Sequence, residues 1–376
     1  MRSASRLLAF ISISAALLAV SDLLHAGEVS VTFRFGEPRI ESLDQGFSRI
    51  IFPATVQAGK AGEPSFPFSG VQILLPPGEM VSGVRIERRG WKLITGMHRL
   101  HPSQHPVPGV EADRRPRTFL YNSAAYELDR WVHPPVSEFS THYLKGHAIA
   151  VGSFSPVGFH PSARKVGYYK EVEVTVETRS GTPSIKALDF LRTDDKTHER
   201  LSRLVDNPYA LSSYGTIQGA AKDAYECLII TRSDLEDDFA ALGDFYNRRG
   251  MRTSIMTIED IESIYGGNDT PEKIRNAITS EYTAHGITHV LLGGDGDGPP
   301  EDPKIVPYRG LCCGVQSSYF YEDDNIPADH YFAALDGSWN DDGDSLWGEP
   351  GEEDFYSEIA IGRACVDTPE EIAHFT

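Results

Sequence analysis

Residues 322–354 carry twelve carboxylates and neither lysine nor arginine. Like charges at that density repel one another, and a bound cation is the simplest way to let them fold. Taking Gly343 as the glycine at position six of an EF-hand-like loop puts Asn340 and Asp342 at positions three and five, and Glu349 at position twelve, where a bidentate ligand belongs. Ser338 falls at position one, normally an aspartate, and Asp336, Asp341 and Asp344 are available to compensate. The expected ligand set is therefore Asp336, Asn340, Asp342, Asp344 and Glu349, and the expected ion is Ca2+. The competing reading is a solvated acidic loop without an ion.

A second loop invites phosphate chemistry. Val290, Leu291 and Leu292 run straight into Gly293, Gly294, Asp295, Gly296, Asp297 and Gly298. A buried parallel strand looks like this when it ends in a functional loop, and ligands of open α/β sheets gather at such strand ends. The first four loop residues resemble the loop of lipid and NAD kinases, in which backbone amides approach phosphate. That pattern continues with threonine where Asp297 stands, and a second carboxylate repels a triphosphate unless Mg2+ intervenes. No P-loop lysine is near. Sulfur chemistry is sparse: Cys227, Cys312, Cys313 and Cys365 are too few for a disulfide scaffold, although one bridge is possible outside the cytoplasm. Cys312 or Cys313 with His330 is the best local candidate for a nucleophile, since a thiolate needs a nearby imidazole. His98, His101 and His105 lie together, but Pro102 and Pro106 interrupt any regular ligand geometry.

The elements that must position these groups fall into two grammars. Up to about residue 181 the pattern is all-β: residues 29–35 and 172–178 alternate with period two, and short apolar runs (71–75, 81–86, 147–151) are separated by Pro and Gly turns. After residue 224 it becomes β-α-β. Residues 227–231 read as a buried strand, and the next helix shows Phe239, Leu242 and Phe245 on one face. Residues 252–256 read as a strand, and Asp269 or Thr270 caps a helix with Pro271 in its first turn and Ile274, Ile278 and Tyr282 buried. Strands over 290–292 and 357–363 follow, and a last helix opens at Thr368. The expected fold is multidomain: an all-β sandwich over 27–181, then an α/β domain with a parallel sheet over 225–376. Residues 182–224, charged and then rich in Ser, Gly and Ala, read as an exposed linker open to cleavage at Arg200 or Arg203.

The β-α-β half resembles the catalytic domain of gingipain-type cysteine peptidases (peptidase family C25), clan CD relatives of caspases. The resemblance is carried by residues 228–231, 244–252, 271–275, 290–295, 328–333 and 358–363, in matching order and spacing. It implies a three-layer, caspase-like parallel sheet, with the sandwich as a propeptide-like domain that packs on the catalytic domain and restrains it until cleavage. It also implies protein or peptide substrates. The family's histidine, in Gly-His-Gly, and its cysteine, in Ala-Cys-x-x-Gly, lie beyond the strand matching 358–363, so the α/β domain is expected to be incomplete at Thr376, with no catalytic residue of its own.

Composition sets the setting. With 54 acidic against 35 basic side chains the formal charge is −19, which argues against nucleic acid and anionic membrane as partners. Arg2 and Arg6, the apolar run 7–20 and the small residues up to Ala26 read as a secretory signal peptide, 1–26, after which no membrane span is expected. The expected function is that of a secreted cysteine endopeptidase precursor. The alternative is a non-catalytic, calcium-stabilised extracellular binding module on the same scaffold.

Overall fold

The computed structural model describes residues 27–106, 118–215, 224–296, 305–316 and 320–375. The expected signal peptide, Asp297, Gly298 and the connector's residues 216–223 lie outside the described residues.

The N-terminal half is built from antiparallel strands. β1 (Gly27–Arg34), β2 (Arg39–Ser42), β3 (Ser48–Ile51), β4 (Thr55–Ala58), β5 (Phe66–Leu74), β6 (Glu79–Leu93), β7 (Ser140–Leu144), β8 (His147–Phe154), β9 (Val157–His160) and β10 (Lys165–Ser180) follow in chain order, with the short helix α1 (Ser123–Tyr126) between β6 and β7. One sheet runs β1-β10-β6, with β9 also on β10; a second runs β4-β5-β8-β7, and β2 and β3 form a separate ribbon. The period-two alternation explains the packing. Val172, Val174 and Val176 of β10 turn one face inward and meet Val71, Ile73, Ala148 and Ala150 of the second sheet in a shared core. Their odd-numbered neighbours Glu171, Glu173 and Glu177 face outward to Arg34, Arg89 and Arg85.

Residues 182–215 are not the exposed connector that their composition suggests. They form α2 (Thr182–Ala187), α3 (Asp195–Leu204) and 3-10 turns over Leu188–Phe190 and Pro208–Tyr214. Asp194 caps α3 by accepting the Thr197 amide at 3.0 Å. Leu201, Val205, Leu211 and Tyr214 pack with Leu74, Leu144 and Ile149 of the sandwich in a core of their own. Charge on the outer face of α3 masked this sparse apolar stripe. Asn207 completes the attachment, exchanging hydrogen bonds with Leu74 through both its amide atoms at 2.7 and 2.9 Å.

The second half is built on one parallel sheet. β11 (Cys227–Thr231), α4 (Glu236–Arg248), β12 (Thr253–Thr257), α5 (Ile258–Ile264), α6 (Thr270–His285), β13 (His289–Gly293), β14 (Arg309–Gln316), β15 (Phe320–Ala328), β16 (Ala360–Ala364) and α7 (Pro369–Phe375) follow in order. The sheet order is β12-β11-β13-β16, all parallel. Going from β11 the chain first adds a strand on one side and then returns to the other. The strand ends of β11 and β13 therefore flank a topological switch point. α6 follows its sequence signals closely: the Asp269 side chain accepts the Glu272 amide at 3.0 Å, Pro271 sits in the first turn, and Gly286 closes the helix in the left-handed region. α4 differs in one residue of its buried face. Phe239 and Leu242 are buried, but Phe245 is exposed and Gly243 lies against the sheet in its place. The hairpin β14–β15, outside the main sheet, and α5 had no clear periodic signal.

Candidate metal centre

The Gly/Asp loop after β13 is closed by its own backbone. The Gly294 amide donates to Ala364 O at 3.0 Å and the Asp295 amide to Val366 O at 3.1 Å, while Asp295 O accepts from both Ile305 and Val306. Those amides are spent, so they are not a phosphate cradle. The glycines answer to packing: a Cβ on Gly293 would lie 2.7 Å from the Phe239 ring, and one on Gly294 2.1 Å from Ile305 Cγ2. Across the switch point the Thr231 hydroxyl donates to Gly293 O at 2.6 Å.

Arg363, at the end of β16, ties this loop to the turn Asp329–Phe332 that follows β15. Its guanidinium donates to both oxygens of Asp329 at 2.6 and 2.9 Å and to Gly294 O at 2.9 Å, with side-chain exposure of only 10%. Three separate sequence signatures, 290–295, 328–333 and 358–363, thus meet at one half-buried arginine.

The same turn leads into a cluster of three carboxylates. Asp336, Asp354 and Glu358 each bring a carboxylate oxygen within 4.8 Å of the others. Asp354 and Glu358 are buried, and both Asp336 oxygens are sealed from solvent with no hydrogen-bond partner; Asp354 Oδ2 is equally orphaned. Glu358 is held in place by two amides, from Lys145 at 3.1 Å and Leu335 at 2.7 Å. Burial, reinforced by Asp354, pushes the Glu358 carboxyl up to about 7. Burial, reinforced by Glu358 and Asp354, raises Asp336 well above the carboxylate range. Two cations face the cluster: Lys145 acts on Glu358, and the half-buried Arg275 donates to the carbonyls of Tyr331, Ala334 and Gly337 at 3.0, 2.7 and 2.6 Å while acting on all three carboxylates. They do not relieve the crowding, since Asp336 and Glu358 still have raised pKa values. Hard oxygen donors that repel one another in this way suit a divalent ion such as calcium.

The structure splits the ligand set expected from sequence. Asp336 belongs to the buried trio, whereas Asp342, Asp344 and Glu349 gather separately near the surface. Trp339 lies between the two groups in sequence: 1% exposed, with φ +64°, it pins the loop to the core so that one continuous loop cannot serve a single ion. Asn340 is spent within the loop, accepting the Gly343 amide and donating to Asp344 O. Partial desolvation and then Asp344 and Asp342 raise the Glu349 carboxyl. Asp354 and Glu358 were visible only as carboxylates, and the sole hint was a glutamate at the mouth of an apolar strand.

The local cysteine dyad does not form. His330 Nε2 is engaged with Asp354 O at 2.8 Å and Nδ1 with Ser357 Oγ at 3.4 Å. Burial, with Glu322, Glu349 and Asp324 nearby, raises the Cys312 thiol, the opposite of activation. All four cysteines are free. Of the three neighbouring histidines, His98 is bonded to Thr95 O at 2.9 Å and His101 packs edge-on against Phe47 and Phe119.

An open parallel α/β sheet, clamped at its strand ends and docked to an antiparallel β-sandwich, defines a two-part architecture. Residues 220–376 match the model of peptidase family C25. Gingipain R2 of Porphyromonas gingivalis is 24% identical over 258 residues, covering 68% of this chain and 29% of that protein. Gingipain R1 of Porphyromonas gingivalis is 24% identical over 226 residues, covering 59% and 18%. The chain thus spans under a third of the length of these curated relatives. Among solved structures, the complex of Porphyromonas gingivalis RgpB pro- and mature domains aligns with TM-score 0.38 at 18% identity, over 48% of this chain and 93% of that one.

Proposed function

We propose that the chain is the N-terminal part of a secreted cysteine endopeptidase precursor: a signal peptide, a propeptide-like β-sandwich, and the scaffold half of a caspase-like catalytic domain. The observation that carries this reading is the C25 family match over residues 220–376. The reacting pair, a cysteine thiolate that attacks the peptide carbonyl and a histidine that protonates the leaving amine, is supplied by residues outside this stretch. What these residues contribute is position: the Arg363 clamp and the closed Gly293–Gly294 turn set the strand ends on which such a pair would be mounted. The sandwich, through Gln72 and Lys145, and the attached segment 182–215, through Phe190 and Arg200, pack against Tyr282, Tyr356, Ser357 and Glu358 of the α/β half, as a restraining propeptide would.

Calcium is the proposed structural ion, held by Asp336, Asp354 and Glu358, with Asp342, Asp344 and Glu349 as a weaker surface site. The test of function is peptide hydrolysis by the 376-residue chain and by the chain extended through its downstream coding sequence. The expected result is turnover only in the extended form. Turnover by the 376 residues that is lost in H330A or C312S/C313S would overturn the assignment, and an extended chain without turnover would favour the non-catalytic binding module.

A further inference from the structure

The two halves meet at two places: Tyr282 of α6, whose carbonyl accepts Arg192 and whose hydroxyl donates to Phe190 O at 3.1 Å, and the cation centre. At the second, several contacts converge. Asp354 and Glu358, two of its three carboxylates, bracket Phe355, Tyr356 and Ser357. Within this pentapeptide the Tyr356 hydroxyl accepts Gln72 Nε2 of β5 at 3.2 Å, and its ring lies 5.7 Å from that of His142 on β7. Ser357 O accepts Arg200 of α3 at 2.9 Å. Glu358 itself accepts the Lys145 amide, at the tip of the β7–β8 hairpin, at 3.1 Å. That tip is built for close approach. Lys145 and Gly146 both have positive φ, +49° and +78°, and a Cβ on Gly146 would lie 2.5 Å from Leu191 Cα. The Asp354 side chain also holds the pentapeptide from within, accepting the Tyr356 amide at 3.0 Å.

From this convergence we infer that the cation centre is the latch of the N-terminal domain: a divalent ion drawing Asp336, Asp354 and Glu358 together fixes residues 354–358 in the shape that the sandwich grips. The inference rests on the cation reading given above and adds the coupling to it. Glu358 is shared, one carboxylate serving ion and hairpin at once. Reciprocity then requires the docked sandwich to raise calcium affinity by the same factor as calcium tightens docking. Removal of calcium loosens the propeptide-like domain without cutting the chain, which gives a secreted precursor a release step that responds to the ion as well as to proteolysis.

Two measurements on the full chain test it. Hydrogen exchange, with calcium and with EDTA, reads the Lys145 amide and residues 354–358 directly; calcium is expected to slow both by about tenfold or more, the scale of a coupling of ~1.4 kcal/mol. Calorimetric titration with Ca2+ then compares the wild-type chain with Q72A/R200A, which removes two sandwich-side bonds and touches no carboxylate of the centre. The expected result is a fivefold or greater loss of calcium affinity in a variant whose circular dichroism is unchanged. Calcium binding with unaltered exchange at Lys145 and equal affinity in Q72A/R200A would overturn the latch and leave the cation centre standing. Failure of the wild-type chain to bind calcium would overturn both.

Discussion

Replacing Asp336 by asparagine should stabilise the chain when calcium is absent and strip it of its response when calcium is present. Ionised carboxylate oxygens within 4.8 Å of one another repel by at least about 3.5 kcal/mol per pair at an effective dielectric near 20, and D336N removes two of the three such pairings. The full repulsion is never borne, because protonation relieves it. Protonating an aspartate of ordinary pKa at pH 7 costs ~4 kcal/mol, which caps what the substitution can return. In EDTA at pH 7 the variant should therefore gain about 1–4 kcal/mol, a melting temperature higher by roughly 1–6 °C for a chain of this size. Calcium at a hundredfold its dissociation constant should stabilise the wild-type chain by ~2.7 kcal/mol, and the variant, one ligand short, by less than about 1 kcal/mol. Differential scanning calorimetry in EDTA and in calcium gives all four values. A variant that melts lower than wild type in EDTA and rises as much with calcium would refute the argument, since the Asp336 carboxylate would then be neither a repulsive charge nor a ligand.

Other outcomes follow from the same geometry. G294A should cost at least ~2–3 kcal/mol in denaturant unfolding, because its Cβ would sit 2.1 Å from Ile305 Cγ2; a neutral substitution would mean the loop is not packed as described. R363K should cost about 2–4 kcal/mol, losing the forked contact to Asp329 and the bond to Gly294 O, and circular dichroism melts would show it. His147, buried beside Tyr214, has its imidazole pushed down to about 4, mainly by burial. The unfolded chain, with an ordinary histidine near 6.5, takes up that proton first as the pH falls. Stability that is fully present above about pH 6.5 should fall by up to ~3 kcal/mol on the way to about pH 4. H147Q should lack that component in EDTA, and a variant with the wild-type pH dependence would assign the loss elsewhere.

The elements were legible where one local signal decided them. Pro271 behind a capping Asp269, the Val172, Val174 and Val176 alternation, and the apolar Cys227–Thr231 run each say strand or helix without help from the rest of the chain. Residues 182–215 were not, because their burial depends on Leu201, Leu211 and Tyr214 finding the back of a sheet formed far earlier in the chain. The candidate cation cluster was half legible for the same reason. The acidic run suggested a cation, but a loop template assigns candidate ligands by spacing, and the three clustered carboxylates are separated by an 18-residue excursion and a strand start that no spacing rule links. Burial selected two of the twelve carboxylates and joined them to Glu358 beyond the run, and burial is a property of the packed chain.

The most direct test of the cation centre is anomalous diffraction from crystals grown with calcium and soaked in terbium. The account predicts a peak bounded by Asp336, Asp354 and Glu358, with the Lys145 amide still on Glu358. A map with no peak there, and with the Asp336 and Asp354 carboxyls sharing a proton in a direct hydrogen bond, would contradict it.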